Sequence, residues 1–486
     1  MQSQRLSRVA ERVLLERKAG YVFALLVLLT GCATFDQRAG FSDVSAAVEA
    51  RSGKRVVWNL GTELDAQVAQ EVHALLQDTL TADGATQVAL LNNRELQAMY
   101  AELGVAQADL VQAGLLKNPI FDGAVRYALH DIPDPLELEL NVVLDFLDIF
   151  YRPLRKRVAA ARFEDAKLQV TGAVLDFAPT VQAAFYRHQA DEQMLELLQT
   201  IAQALAASLE VAQRLHAAGN ITDLDLARER VLAEEAKLQL RAAETAVRQS
   251  REHLNTLMGL WGPQTAWHID RRLPDVPEQP LPVDGLETRA LRQSLDLASA
   301  RQQMIVAGEQ LGASRATALV PESSLGGGAE FEEGGWEVGP TVSFPIPLFD
   351  QGQARLGRAM TELRRAQQAY YATGVRIRST VRAVRDRMQG TQDRALYYRD
   401  IVLPLAERIV NEVQLQYNAM QLGVFELLRA REQQIRTAVS YIETLRDYWL
   451  ARTDLEQILS GRLPSANGFA MERRERPTNM VENAGH

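Results

Sequence analysis

Between Leu136 and Phe146, the apolar residues Leu136, Leu138, Leu140, Val142 and Leu144 alternate with Glu137, Glu139, Asn141, Val143 and Asp145. Period-two alternation with one apolar and one largely polar face predicts a strand of a membrane barrel wall. A partner strand is expected over Ile120–Leu129, joined through His130-Asp131-Ile132-Pro133-Asp134-Pro135. The pattern returns later in the chain. Leu325–Phe331 and Trp336–Phe344 flank Glu332-Glu333-Gly334-Gly335, and Trp336, Val338, Pro340, Val342 and Phe344 alternate with Glu337, Gly339, Thr341 and Ser343. About 9–11 residues suffice for a tilted strand to cross a bilayer. Four strands cannot close a barrel, since the smallest closed type needs about eight and open edges are excluded from lipid. Several copies must therefore share strands.

Beside each strand pair the pattern changes to a helical one. From Arg152 to Ala218 a continuous helix would extend ~100 Å at 1.5 Å per residue. Leu198, Leu205 and Ala212 recur every seventh residue, with Ile201, Ser208 and Leu215 in the complementary register. This is a coiled-coil seam whose small residues admit close neighbours. Pro179 and, in the second half, Pro404 are expected to kink their helices. Earlier helices are expected around 90–116 and 288–316.

The chain is written twice. Leu96, Ala106 and Leu110 are matched by Leu297, Ala307 and Leu311 at an offset near 201 residues, and Arg155 falls opposite Arg355 within a residue of it. Gly219-Asn220-Ile221-Thr222 lies opposite Met420-Gln421-Leu422-Gly423. A period this long exceeds the ~20–50 residues of solenoid repeats and reads as duplication of a half-molecule. Each half runs helix, two strands, very long helix, tight turn, returning helix. The expected division is 1–31, a signal peptide; 32–89, an N-terminal segment; 90–257, the first repeat; 258–287, an inter-repeat segment; 288–460, the second repeat; and 461–486, a tail. That tail, with Arg473, Arg474 and Arg476, reads as a poorly ordered end.

Composition narrows the function. The 486 residues carry a net charge of −9 with both signs mixed along the chain, which is no footprint for nucleic acid. Seven scattered His residues and one Cys offer no metal-ligand spacing, and no cofactor is implied. Gly326-Gly327-Gly328 is not followed by the Lys-Ser/Thr pair of a phosphate loop, so close backbone packing is the better reading. No catalytic constellation stands out.

At the amino terminus, Arg5, Arg8, Arg12, Arg17 and Lys18 precede the apolar run Tyr21–Leu29. The run is far short of the ~20 residues of a spanning helix and fits a signal-peptide core of ~7–15 residues. Leu29-Thr30-Gly31-Cys32 resembles a bacterial lipobox, which implies lipid attachment at Cys32. By resemblance to lipoprotein sorting, Ala33 after it favours the outer membrane.

Together these pieces resemble the TolC family of outer membrane factors. The most specific match is Phe344-Pro345-Ile346-Pro347-Leu348-Phe349-Asp350-Gln351-Gly352, followed by Arg355 and Ala359. Val402-Leu403-Pro404 ahead of Tyr417, and Tyr441, Leu445, Tyr448 and Leu455 before Gly461, match as well. The Pro347-Leu348-Phe349-Asp350 phrase is similar to relatives of the heavy-metal-efflux branch. The resemblance implies a mainly α protein with a small β part: a homotrimer with four strands per protomer in a shared twelve-stranded barrel, continued by a coiled-coil helical tube. It implies an outer-membrane, lipid-anchored duct that extends into the periplasm. The duct would conduct passively from an inner-membrane pump of the resistance-nodulation-division type through a periplasmic adaptor. The turns carrying Gly219, Asn220 and Thr222, and Met420, Gln421 and Gly423, would be the adaptor-docking tips. Met420 replaces the family's turn glycine, which predicts a differently shaped second turn. Glu426 matches the first acidic ring of the family's periplasmic gate, while Arg429 breaks the second. An ordinary i,i+3 salt bridge is the alternative for that pair. Rival readings are a periplasmic adaptor lipoprotein, a type I secretion duct and a coiled-coil scaffold. The paired hairpins and strand pairs argue against the first and last of these.

Overall fold

The structure is a computed structural model that describes residues 35–126, 137–277, 285–318, 323–332 and 335–464. The signal-like run, Cys32, the first strand–strand connection and the Arg-rich tail lie outside the described residues. Helices α1 (Phe41–Ser52) and α2 (Glu63–Gln77) lead through a short strand β1 (Thr79–Leu80) into α3 (Ala82–Asn92) and α4 (Arg94–Ala113). Strands β2 (Ile120–Arg126) and β3 (Glu137–Asp145) precede α5 (Asp148–Ala217) and the returning α6 (Asp223–Met258). After strand β4 (His268–Ile269) the order repeats: α7 (Leu286–Gln293), α8 (Leu295–Ala316), β5 (Ser324–Glu332), β6 (Gly335–Ser343), α9 (Gln353–Tyr397), α10 (Leu403–Asn418) and α11 (Val424–Ser460).

The sheet runs β2-β3-β5-β6, antiparallel throughout. Its register sorts the side chains. Val142 pairs with Phe121 and Gly327, and Leu140 with Gly123 and Ala329. In the next pairing Leu325 faces Val342, and Phe331 faces Trp336. Paired residues share a face, so Phe121, Val125, Leu138, Leu140, Val142, Leu144, Leu325, Phe331, Trp336, Val338 and Val342 all fall on one side. The other side carries Asp122, Arg126, Glu137, Glu139, Asn141, Glu330, Glu337 and Thr341. Among the described residues nothing covers the apolar side: Phe121, Val125, Trp336 and Val342 are exposed, and Val338 is 80% exposed. The glycine run serves close packing, because a Cβ on Gly326 would sit 2.5 Å from the Val142 carbonyl oxygen and one on Gly328 2.5 Å from Asn141 Oδ1.

α5 is a single α-helix of 70 residues through Pro153 and Pro179, so Pro179 does not interrupt it. Its counterpart does break. A π segment, Tyr398–Val402, separates α9 from α10 just before Pro404. Proline supplies no N–H to the carbonyl four residues back, and a wider turn accommodates that loss. In the heptad seam Ile201 and Ala212 are buried and face α6, where Ala233 and Ala236 are also buried. Ser208 there donates to the buried Glu229 carboxylate at 3.1 Å, and burial raises the Glu229 pKa despite that bond.

The buried core lies where the chain's distant parts meet. Val44, Val48, Trp58, Tyr100 and Leu103 pack with Val170, Val174 and Leu295. Val72, Leu76 and Leu91 pack with Phe185, Leu254, Met258 and Trp267. Residues 41–92 thus join the body of the protein rather than forming a loose leader. His188 is fully buried in the same region, with Nδ1 2.9 Å from Ser250 Oγ; burial, then the nearby Arg251 charge, push its pKa down to about 4.

Arg462 ties the two halves together. Its Nε donates to Asp176 Oδ1 at 2.9 Å and its Nη2 also pairs with Asp176. Its Nη1 donates to Asp296 Oδ1 at 2.5 Å, and the Leu463 amide donates to the same carboxylate at 2.9 Å. Beside it Arg51 donates to the carbonyls of Gln293 at 2.6 Å and Ser460 at 3.0 Å. Arg462→Ala would leave two part-buried carboxylates without their cation. It should cost about 2–4 kcal/mol, read as a lowered thermal midpoint; Arg462→Lys, which keeps charge without the planar fork, should recover only part of it.

Candidate functional site: the helical tips and the strand wall

Both long hairpins turn at the same end of the protein. Leu224, just past the first turn, and Leu427, Leu428 and Arg429, just past the second, line one groove between the hairpins of about 2050 Å³. The first turn closes with Ala218 N donating to Arg214 O at 3.1 Å, Gly219 N to His216 O at 2.8 Å and Asn220 N to Leu215 O at 2.9 Å. The second makes the same three bonds. Ala419 N donates to Leu415 O at 3.0 Å, Met420 N to Tyr417 O at 2.9 Å and Gln421 N to Gln416 O at 2.9 Å.

The expectation of a differently shaped second turn is therefore wrong. Gly219 has φ +76°, and Met420 adopts φ +55°, the one positive φ of a non-glycine among the described residues. The left-handed conformation sets Cβ against the next carbonyl and costs roughly 1–2 kcal/mol outside glycine. The hydrogen-bond closure of the hairpin outweighs that strain. The side chain so held is 94% exposed.

The two turns differ in how the next helix begins. Thr222 caps α6: its hydroxyl accepts from the Asp225 amide at 3.2 Å, and Asp225 Oδ2 accepts from the Thr222 amide at 3.4 Å. Such a reciprocal pair satisfies two amide donors of the first turn. His216 Nε2 lies 2.6 Å from Asp223 Oδ1 across the turn. Gly423 caps α11 with the same backbone, φ −80° and ψ 162° against −82° and 162° at Thr222, but has no side chain to accept. Its turn is held by backbone alone.

Three residues on, Arg429 Nη1 donates to Glu426 Oε1 at 3.1 Å across one turn of α11, and both side chains are exposed. Within one protomer the pair is a solvated i,i+3 bridge, worth a few tenths of a kcal/mol. Among the described residues no helix is long and apolar enough to cross a membrane, which bears on helices and not on strands. Among them, too, no group of His, Cys, Asp and Glu could hold a metal ion.

A sheet with one bare apolar face, joined directly to two helical hairpins about a hundred ångströms long, defines a class of outer-membrane ducts. The family model described as outer membrane efflux protein matches residues 85–260. The chain is 24% identical over 388 residues to the cobalt-zinc-cadmium resistance protein CzcC of Cupriavidus metallidurans, covering 78% of this chain and 90% of that one. It is 26% identical over 428 residues to the pyoverdine export outer membrane protein OpmQ of Pseudomonas aeruginosa, covering 80% and 83%. Among solved structures, the fold is similar to the Campylobacter jejuni CmeC outer membrane channel, with a TM-score of 0.64 at 15% identity over 86% of this chain and 92% of that chain. It is also similar to CusC, with 0.62 at 17% identity over 80% and 92%. The chain resembles the outer membrane efflux proteins over residues 85–260, and it acts in efflux at the outer membrane. The adaptor reading is set aside.

Restoring glycine to the second turn isolates the strain. Met420→Gly should leave stability unchanged or raise it by up to about 1 kcal/mol, and Gly219→Ala should lower it by about 1 kcal/mol. Hydrogen exchange at the tip amides together with thermal midpoints measures both. A clear loss on Met420→Gly would mean that the thioether makes stabilising contacts in the folded protein.

Proposed function

We propose that three copies of the chain share one twelve-stranded barrel in the outer membrane, with the hairpins forming a helical tube in the periplasm. One observation carries this reading: the register gathers the large apolar residues of all four strands, Ile120 and Val143 apart, onto a single face that no described residue covers. β2 and β6 are the edges of that sheet, and hydrocarbon tolerates no open edge. Copies of the same chain are the available partners, and three make a barrel of ordinary size.

In this reading Gly219, Asn220 and Thr222, with Met420, Gln421 and Gly423, meet a periplasmic adaptor. Through it the tube receives cargo from an inner-membrane pump of the resistance-nodulation-division type. The duct supplies a path and no energy. The relatives are named for metal resistance and for pyoverdine export, in keeping with a conduit whose cargo follows the pump it serves. Glu426 and Arg429 would ring the mouth near the tips. There Arg429 could exchange its own Glu426 for that of a neighbouring protomer, and threefold repetition in a confined mouth strengthens a weak exposed pair.

The detergent-extracted protein should run as a trimer by native mass spectrometry, and in planar bilayers Arg429→Ala should raise single-channel conductance while Glu426→Gln lowers cation preference. A stable monomer that retains its strand signal would end the shared-barrel reading. Unchanged conductance in both variants would remove these residues from the mouth.

The reading also anchors the chain by lipid at Cys32, the single cysteine of the sequence. Each buried lipid CH2 adds ~0.8 kcal/mol, so several acyl chains hold durably. Cells fed radioactive palmitate should label the wild-type protein and leave Cys32→Ala unlabelled; equal labelling of the two would exclude this attachment.

A further inference from the structure

At the sheet-proximal end of the helices, α4, α5, α8 and α9 enclose a cavity of about 950 Å³. Its wall carries Lys117, Arg155, Arg162, Arg355 and Arg358, against the carboxylates of Asp109 and Glu362. A surplus of cations is concentrated there in a chain whose net charge is −9. Three of the five are already committed to internal partners: Arg155 pairs with Asp148, Lys117 Nζ donates to Asp145 Oδ2 at 2.9 Å, and Arg358 Nε donates to Glu362 Oε1 at 3.0 Å. Arg162 and Arg355 make no hydrogen bond or ion pair among the described residues.

The internal duplication explains why. Arg155 and Arg355 hold equivalent places in the two repeats, each beside the point where the chain leaves the sheet for its long helix. In the first repeat Asp148, seven residues earlier, neutralises the guanidinium. Seven residues before Arg355 stands Leu348, exposed and without charge. Asp350, the nearest carboxylate in sequence, accepts from the Gly352 amide at 2.8 Å. The second repeat has thus lost the counter-ion and kept the cation.

We infer that this cavity is an anion site that takes a phosphate group. Guanidinium forks match phosphate oxygens in pairs, and two free ones line this one cavity from α5 and α9 without an internal bond to break. The place of the cavity, at the junction of sheet and helices, points to the phosphate of an anionic lipid headgroup in the periplasmic leaflet. Long basic side chains at that depth keep their stems against apolar surface and their charges at the headgroups. The lipid source rests on the barrel reading; the anion site rests on the cavity alone.

The full-length protein in neutral detergent can be titrated by calorimetry with dihexanoylphosphatidylglycerol, dihexanoylphosphatidylcholine and inorganic phosphate. The glycerol lipid should bind saturably and the choline lipid should not. Arg162→Gln/Arg355→Gln should weaken binding roughly tenfold or more, each 1.4 kcal/mol being a factor of ten. The corresponding double Lys variant should retain part of it, and Arg289→Gln on α7 none of the loss. Neither arginine makes an internal bond, so the Gln variant should fold, and an unchanged thermal midpoint checks this. Inorganic phosphate binding as tightly as the lipid, with the same dependence on the variant, would uphold the site and assign it to free phosphate. Binding of the choline lipid equal to that of the glycerol lipid, no binding by either phosphate source, or no effect of the Gln variant would overturn the proposal. Single-channel conductance of that variant reports on the channel separately, so failure of the site and failure of the barrel can be told apart.

Discussion

A backbone N–H or C=O left unpaired in hydrocarbon costs several kcal/mol, and β2 and β6 each present a row of them at the edges of the four-stranded sheet. The apolar face of that sheet cannot be buried within the chain, since none of the described helices folds back over it. In the proposed barrel, lipid meets that face and further copies meet both edges. The helices inherit the demand. In the proposed barrel a protomer set beside its copies as a stave would need helical staves below, and the long hairpins continue the chain directly from the strands.

The duplication makes this economical, and its departures from symmetry are informative. Gly219 and Met420 hold the same backbone conformation with the same three hydrogen bonds, one without strain and one with it. A side chain kept at a strained, fully solvated turn contributes nothing to the packed interior. Thr222 caps its helix with a side chain and Gly423 with backbone alone, which leaves the second tip the less firmly held. At the opposite end Asp148 has no counterpart, and Arg355 is left with an unneutralised charge. In each case the fold is conserved between halves and the chemistry has diverged.

Between those ends the protein is held by a junction of remote segments. Arg462 near the end of the described chain grips Asp176 of α5 and Asp296 of α8, while Arg51 of α1 grips carbonyls at Gln293 and Ser460. Polar bonds do this work where helices cross at their ends, because carbonyls and amides there lack helical partners. The apolar clusters on either side, around Trp58 and Trp267, supply the non-directional part of the attachment.

Much of the fold was open to reading from local patterns. Alternation in Leu136–Leu144 marked a strand because a pleated chain shows its side chains to opposite faces, and heptads at Leu198–Leu215 marked a helical seam because neighbours recur every 3.5 residues or so. Duplication identified the second strand pair and second hairpin. Beyond local reach were the helices of residues 41–92, whose burial depends on contacts with Phe185, Met258 and Trp267 far along the chain. The Arg462 clamp was hidden for the same reason, as its partners Asp176 and Asp296 lie 286 and 166 residues away. Residue type at Met420 argued for a different turn, yet closure of the hairpin imposed the glycine's conformation on a methionine. Local sequence determined period, element and repeat, because these depend on neighbours within a few residues. The tertiary structure alone decided which faces stay bare, which charges go unpaired and where strain is held, because each is settled by what distant segments bring alongside.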